Sequence, residues 1–186
     1  MFHTLQKTAI EILHALALGL GLEERFFDAY HSATEPCHQL RLLHYPAIEE
    51  SVLRDGSTAR IVAHTDKGTI TLLLQEDDGV AGLEVGDASG GFVAAPVVPG
   101  SVLVNIGDLL QMWSNDVLKS TRHRVVAPRE EQGGMVGRRF SIPYFVAVDR
   151  DVVVECLDGC WGEGREKKYE KVKAWDYIAK AMSPSY

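Results

Sequence analysis

Apolar residues recur at three- and four-residue spacing through the first part of the chain. Phe2, Leu5, Ala9, Ile12, Leu13 and Leu16 fall on one side of a helical wheel, with Gln6, Lys7 and Glu11 elsewhere. This predicts a helix within residues 2–29, loosened at Gly19 and Gly21, with a second short helix from Glu23 to Tyr30. From about Gln39 the period changes to two. Short apolar runs then follow at 40–45, 59–65, 69–76, 82–85, 92–97, 101–105, 121–127, 138–147 and 151–156. Turn residues divide them, at Asp55-Gly56-Ser57, Asp77-Asp78-Gly79, Ser89-Gly90-Gly91, Pro99-Gly100 and Gly133-Gly134. About eight short strands without helical crossovers predict a mainly β fold with flanking helices, a two-sheet jelly roll. A last amphipathic helix is expected over 166–182, with Tyr169, Val172, Trp175, Ile178 and Met182 on one side.

Composition narrows the class. The chain has 186 residues, enough for one domain with a sizeable core and too few for two ordinary ones. A net charge of −7 without a Lys/Arg run argues against nucleic acid as a partner. The densest basic stretch, Arg165 to Lys171, is interleaved with acids and reads as a solvated helix face. No apolar run approaches the roughly 20 residues that span a bilayer, and no secretory signal is evident. Cys37, Cys156 and Cys160 are an odd set and lack the four ligands of a structural zinc site, so free thiols and a cytoplasmic setting are expected.

The candidate chemistry lies in three strand-like stretches. His64-Thr65-Asp66 sets an imidazole and a carboxylate two residues apart, which on a strand puts both on one side. In a chain with 7 His and 26 Asp+Glu, chance supplies about one such pair, so context must carry it. His123 comes from a stretch where Thr121, His123 and Val125 face one way and Arg122 and Arg124 the other. Taken alone, it reads as a core histidine. Together the three residues form a two-His-one-carboxylate set, which holds one face of an octahedral Fe(II) and leaves positions for a chelating co-substrate and O₂. Arg139, two residues from Ser141, offers a forked cation and a hydroxyl on one side of a third strand, suited to the far end of a dicarboxylate. The same period turns Arg138 the other way, toward the surface.

Four motifs, in order, resemble the iron(II)/2-oxoglutarate-dependent dioxygenases, in the branch that includes isopenicillin N synthase. They are Ala63 to Gln75, Asn105 to Asn115, Lys119 to Val125 and Arg139 to Phe145. The resemblance implies a double-stranded β-helix over 37–158, a helical segment at 1–36 packed on it and a helical tail at 159–186. It implies Fe(II) on His64, Asp66 and His123, with 2-oxoglutarate held through its C5 carboxylate by Arg139 and Ser141, and O₂ as the oxidant. Tyr45 resembles the family tyrosine near the co-substrate, although Leu43 stands where many members have Asn. Tyr45 reads equally as the half-buried end of the first barrel strand. His44 faces away from Tyr45, and Met112 and Trp113 read as packing. The interval from His123 to Arg139 is longer than is usual in the family, and the turn-rich segment 130–134 absorbs the difference.

The expected function is a 2-oxoglutarate-dependent oxygenase that hydroxylates or oxidises a small organic molecule, releasing succinate and CO₂, as a monomer without a nucleic-acid or membrane partner. Alternatives are an iron oxidase of the same fold that does not use 2-oxoglutarate, and a truncated, non-catalytic metal-binding barrel. A zinc hydrolase would leave Arg139 and Ser141 without a role. Family members usually carry a further N-terminal region, so this chain reads either as a fragment or as a minimal barrel. Substrate choice is not legible.

Overall fold

The computed structural model describes residues 1–32, 37–54, 59–76, 82–126 and 134–182. The turns expected at 55–57 and 77–79, and most of the 130–134 loop, lie outside these residues. The chain opens with helix α1 (Phe2–Gly19) and a 3-10 turn at Phe26–Tyr30. The helix expected within 2–29 therefore divides after Gly19, where Gly21 takes a φ of 75°, a left-handed conformation open to glycine. Then come β1 (Gln39–Leu40), β2 (Leu43–Tyr45), β3 (Ile48–Glu49), α2 (Glu50–Arg54), β4 (Ile61–His64), β5 (Ile70–Gln75), β6 (Leu83–Gly86) and β7 (Phe92–Ala94). The second half holds β8 (Leu103–Ile106), α3 (Asp108–Trp113), β9 (His123–Val125), β10 (Met135–Val136), β11 (Arg139–Val146), β12 (Val153–Val154), β13 (Val172–Lys173) and α4 (Ala174–Met182).

Two antiparallel sheets form the barrel. The larger runs β1-β11-β5-β8, with β2 also pairing with β11, and the smaller runs β4-β9-β6-β7. Inward residues of both sheets line one cavity, which is the two-sheet jelly roll expected from the strand pattern and the double-stranded β-helix that the resemblance implies. The main apolar core lies outside this cavity. Leu5, Ala9, Leu13 and Ala17 of α1 pack with Ile70, Leu72, Tyr144 and Val146 on the outer face of the larger sheet. The helix covers the back of the sheet, so the front can stay partly polar without costing the fold its core. Met112 and Trp113 belong to this packing as expected, Trp113 lying 5.4 Å from the Phe27 ring and 5.2 Å from Tyr30. No helix among the described residues is long and apolar enough to cross a membrane.

The C-terminal segment departs from its periodicity. Instead of one helix over 166–182, Val172–Lys173 pairs with β12 and only Ala174–Met182 is helical. The reason is a competing set of hydrogen bonds. Buried Asn115 donates to the Glu166 carbonyl at 2.9 Å and accepts from the Lys168 N–H at 2.8 Å, which fixes this backbone outside a helix. The basic stretch is exposed as expected, but as an irregular segment tied down by Lys167–Glu155 and Lys168–Asp116 ion pairs. Short helices α2 and α3 carried no periodic signal at this length.

Candidate metal and carboxylate site

His64 ends β4, and its pairing partner across the smaller sheet is His123 of β9. Antiparallel register thus sets the two imidazoles side by side, with ring centroids 4.3 Å apart. Asp66 reaches them by another route than the strand alternation suggested, because the ladder stops at His64 and Asp66 lies in the following loop. That loop is held by the N-terminus of α3. The backbone N–H of Asp108 donates to the Asp66 carbonyl at 2.8 Å, and that of Leu109 to the Gly68 carbonyl at 3.0 Å. Gly107 makes the approach possible, since a Cβ there would lie 2.3 Å from the Gly68 carbonyl oxygen.

The three side chains converge. One ligand atom from each of His64, Asp66 and His123 can be chosen so that all lie within 4.8 Å of one another. Each imidazole is oriented through its other nitrogen: His64 Nδ1 lies 2.8 Å from the Val62 carbonyl, and His123 Nδ1 lies 3.2 Å from that of Thr121. A carbonyl can only accept, so Nδ1 carries a proton and Nε2 is the ring nitrogen turned toward Asp66. Nε2 of His64 and of His123 lie 3.9 and 3.7 Å from Asp66 Oδ1, too long for hydrogen bonds. Two imidazole nitrogens and a carboxylate oxygen thus converge without bonding one another. The donor set therefore fits a divalent metal ion of the imidazole- and carboxylate-binding kind.

Asp66 is itself oriented. Its Oδ2 accepts from Thr71 Oγ1 at 2.6 Å and from Asn105 Nδ2 at 2.9 Å, leaving Oδ1 for the cluster. Sequence reasoning passed over both partners as functional residues. Thr71 was legible as the polar break in an apolar strand, and Asn105 as an amide placed in an otherwise apolar one.

At the other end of the cavity lies Arg139. Both it and Ser141 are buried at 3% exposure on the inward face of β11, whereas Arg138 is less enclosed, as the strand period predicts. The Arg139 guanidinium donates to Gln75 Oε1 at 2.8 Å and lies 5.1 Å over the Tyr45 ring. Tyr45 faces Arg139 across the β2–β11 pair and lines the same cavity, while His44 points outward and stacks on Phe140. Burial lowers the Arg139 pKa, opposed by Tyr45 and by the charge of Glu76. Among the described residues, no carboxylate lies within ion-pairing distance of this guanidinium. A buried cation without an anion is costly, so the arrangement is suited to an anion brought in from solution.

A second polar cluster braces the Asp66 loop from behind. Asp108 Oδ2 accepts from Lys67 Nζ at 2.8 Å, Thr65 Oγ1 at 3.0 Å and Tyr177 of α4 at 2.7 Å. Burial pushes the Asp108 pKa up, but the hydrogen bonds from Lys67 and Tyr177 outweigh it and hold the carboxyl below its usual value. Burial and the Asp108 hydrogen bond in turn raise the Tyr177 phenol.

Residues 36–148 match the family model of the 2OG-Fe(II) oxygenase superfamily. The proline hydroxylase buaE of Petromyces alliaceus is 40% identical over 185 residues, covering 97% of this chain and 56% of the relative. The 2-oxoglutarate-Fe(II) type oxidoreductase ppzD of Metarhizium majus is 39% identical over 183 residues, covering 95% and 50%. A full-length Neurospora crassa protein, crystallised in complex with alpha-KG and 5-formyluracil, superposes with a TM-score of 0.88 at 36% identity, covering 97% of this chain and 57% of that one. The chain spans about half the length of the relatives it matches. By family model, sequence and fold, it belongs to the 2OG-Fe(II) oxygenase superfamily.

Proposed function

We propose that this chain is the catalytic barrel of an Fe(II)- and 2-oxoglutarate-dependent oxygenase acting on a small organic molecule. One observation carries the reading: a cation-seeking His64–Asp66–His123 cluster and a buried Arg139 without a carboxylate partner among the described residues line a single cavity. In this reading His64, Asp66 and His123 hold Fe(II). Arg139 and Ser141 take the C5 carboxylate of 2-oxoglutarate, and Tyr45 flanks the guanidinium. Bound Fe(II), with 2-oxoglutarate and O₂, would supply the oxidising power, one oxygen atom going to the substrate as 2-oxoglutarate becomes succinate and CO₂.

The chain's own residues bind, orient and exclude water. Thr71 and Asn105 keep one Asp66 oxygen turned to the cluster, and the carbonyls of Val62 and Thr121 fix the imidazole tautomers. The guanidinium fork matches a carboxylate and keeps its charge. Leu73, Leu83, Leu103 and Val125 line the walls and reduce solvent around the co-substrate. In this reading residues 37–158 are the barrel domain, 1–36 an N-terminal helical segment and 159–186 a C-terminal tail. The free thiols of Cys37, Cys156 and Cys160 support a cytoplasmic setting. Small-molecule substrates are supported by the relatives, among them a proline hydroxylase and the Neurospora crassa protein, which was also crystallised with thymine.

Anaerobic titration with Fe(II) tests the assignment. A weak visible charge-transfer band is expected only after 2-oxoglutarate is added, and its absence from iron-loaded protein overturns the co-substrate assignment. An iron oxidase of the same fold, in which Arg139 takes a substrate carboxylate, is separated by measuring succinate on turnover.

A further inference from the structure

Strand β5 touches both ends of the cavity. Thr71 holds Asp66 at one end, and Gln75 Oε1 accepts from Arg139 Nη2 at 2.8 Å at the other. The two residues lie four apart on the inward row, roughly 13 Å at about 3.3 Å per residue. Gln75 also faces Ser141 across the β5–β11 pair, so amide, hydroxyl and guanidinium meet at one corner of the barrel. A guanidinium only donates, so the amide must turn its oxygen to Arg139. One strand thereby sets the interval between the His64–Asp66–His123 cluster and the Arg139 fork.

Behind that corner lies a second cavity of about 180 Å³. Gln75, Val97, Val98 and Ser101 line it, and Leu73 and Leu103 line both cavities. Arg139 lines the first and Gln75 the second, so their hydrogen bond is part of the wall between the two. With open space behind the wall, close packing does not hold the guanidinium forward, and the Gln75 bond must. An arginine side chain released from Gln75 has room to swing back and lengthen the first cavity. The acceptor is also neutral. An amide fixes the fork through one arm and leaves its charge for an incoming acid, whereas a carboxylate in the same place would answer that charge within the fold.

We propose that Gln75 is a positioning residue that sets the length of the dicarboxylate the barrel accepts, by holding Arg139 at a fixed interval from the His64–Asp66–His123 cluster. The proposal rests on the oxygenase reading of the cavity, and its test is arranged so that the two fail separately. Fe(II)-loaded protein is titrated anaerobically with 2-oxoglutarate and with 2-oxoadipate, one methylene longer, and each Kd is read from the charge-transfer band and from the thermal shift. Wild type is expected to bind 2-oxoglutarate at least tenfold tighter than 2-oxoadipate. Gln75→Ala should cut that preference at least tenfold by letting Arg139 retreat. Gln75→Glu keeps the size and the hydrogen bond and adds a charge. It should weaken both acids at least tenfold with a Tm no lower than that of wild type, whereas a bond that only supports the fold would leave its affinities unchanged. A preference within twofold of wild type in Gln75→Ala overturns the proposal, as does equal binding of the two acids by wild type. So does 2-oxoglutarate affinity within twofold of wild type in Gln75→Glu. Failure of 2-oxoglutarate to bind the wild-type protein overturns the oxygenase reading instead, and this proposal with it.

Discussion

The side-chain amide of Asn105 donates to Asp66 Oδ2 at 2.9 Å, reaching from β8 into the metal loop, and so decides which Asp66 oxygen faces the two imidazoles. Thr71 supports the same oxygen from β5. Asp66 sits in a loop, where neighbouring strand pairs do not hold a side chain. These two hydrogen bonds do what register does for His64 and His123.

Asn105→Ala and Thr71→Val should each lower divalent-metal affinity by roughly 10- to 100-fold. The effect is read by anaerobic titration against a competing chelator, with circular dichroism to show that the barrel persists. Unchanged affinity in both variants would mean that the loop backbone alone orients Asp66.

Arg139 and Arg138 form an internal control. Arg139→Gln removes the buried fork and should weaken 2-oxoglutarate binding by roughly 30-fold or more, since breaking a buried charge pair costs about 2–5 kcal/mol. Arg138→Gln alters a side chain lying over Phe140, outside the cavity, and should leave that affinity within about twofold. Equal losses in both would show that the carboxylate reads the general positive potential instead of one guanidinium.

Acid stability should depend on His38. Burial lowers its pKa to about 4, with the nearby His31 acting in the same direction. His31, 3% exposed, is lowered by burial as well. A histidine kept neutral by the fold takes up its proton first in the unfolded chain. Its contribution is therefore full above about pH 6.5 and is lost as pH falls toward 4. Chemical denaturation at a series of pH values should show stability falling through this window, and His38→Gln should flatten the slope.

Asp108 ties α4 to the metal loop. Tyr177→Phe removes one hydrogen bond and should cost about 1 kcal/mol, whereas Asp108→Ala strands Lys67, Thr65 and Tyr177 together and should cost about 3 kcal/mol. Thermal unfolding of the two variants checks the order. The reverse order would place the brace in α4 packing and not in the carboxylate.

Much of this molecule is legible from period and order. Alternation along β11 separates Arg139 and Ser141 from Arg138, and Thr121, His123 and Val125 line the cavity as their spacing predicts. The pairing of His64 with His123 is set by antiparallel register between distant segments, which no local pattern encodes. Asp66 was expected on a strand because the two-residue interval suits one, yet the α3 N-terminus and Gly107 fix it in a loop. The C-terminal periodicity was real but lost to Asn115, whose side chain captured the backbone at Glu166 and Lys168. A long-range side-chain bond of that kind leaves no mark on a helical wheel.

In the proposed reading, the guanidinium enclosed at Arg139, without a carboxylate partner among the described residues, makes the barrel's stability a function of what is dissolved around it. Any acid that fits is drawn in by mass action and adds to the free energy of the folded form, about 2.7 kcal/mol at a concentration 100 times its Kd. For a marginally stable domain that is a large fraction of the total. The barrel therefore doubles as a gauge: the share of it that survives heat or protease reports how much of the matching acid is in solution.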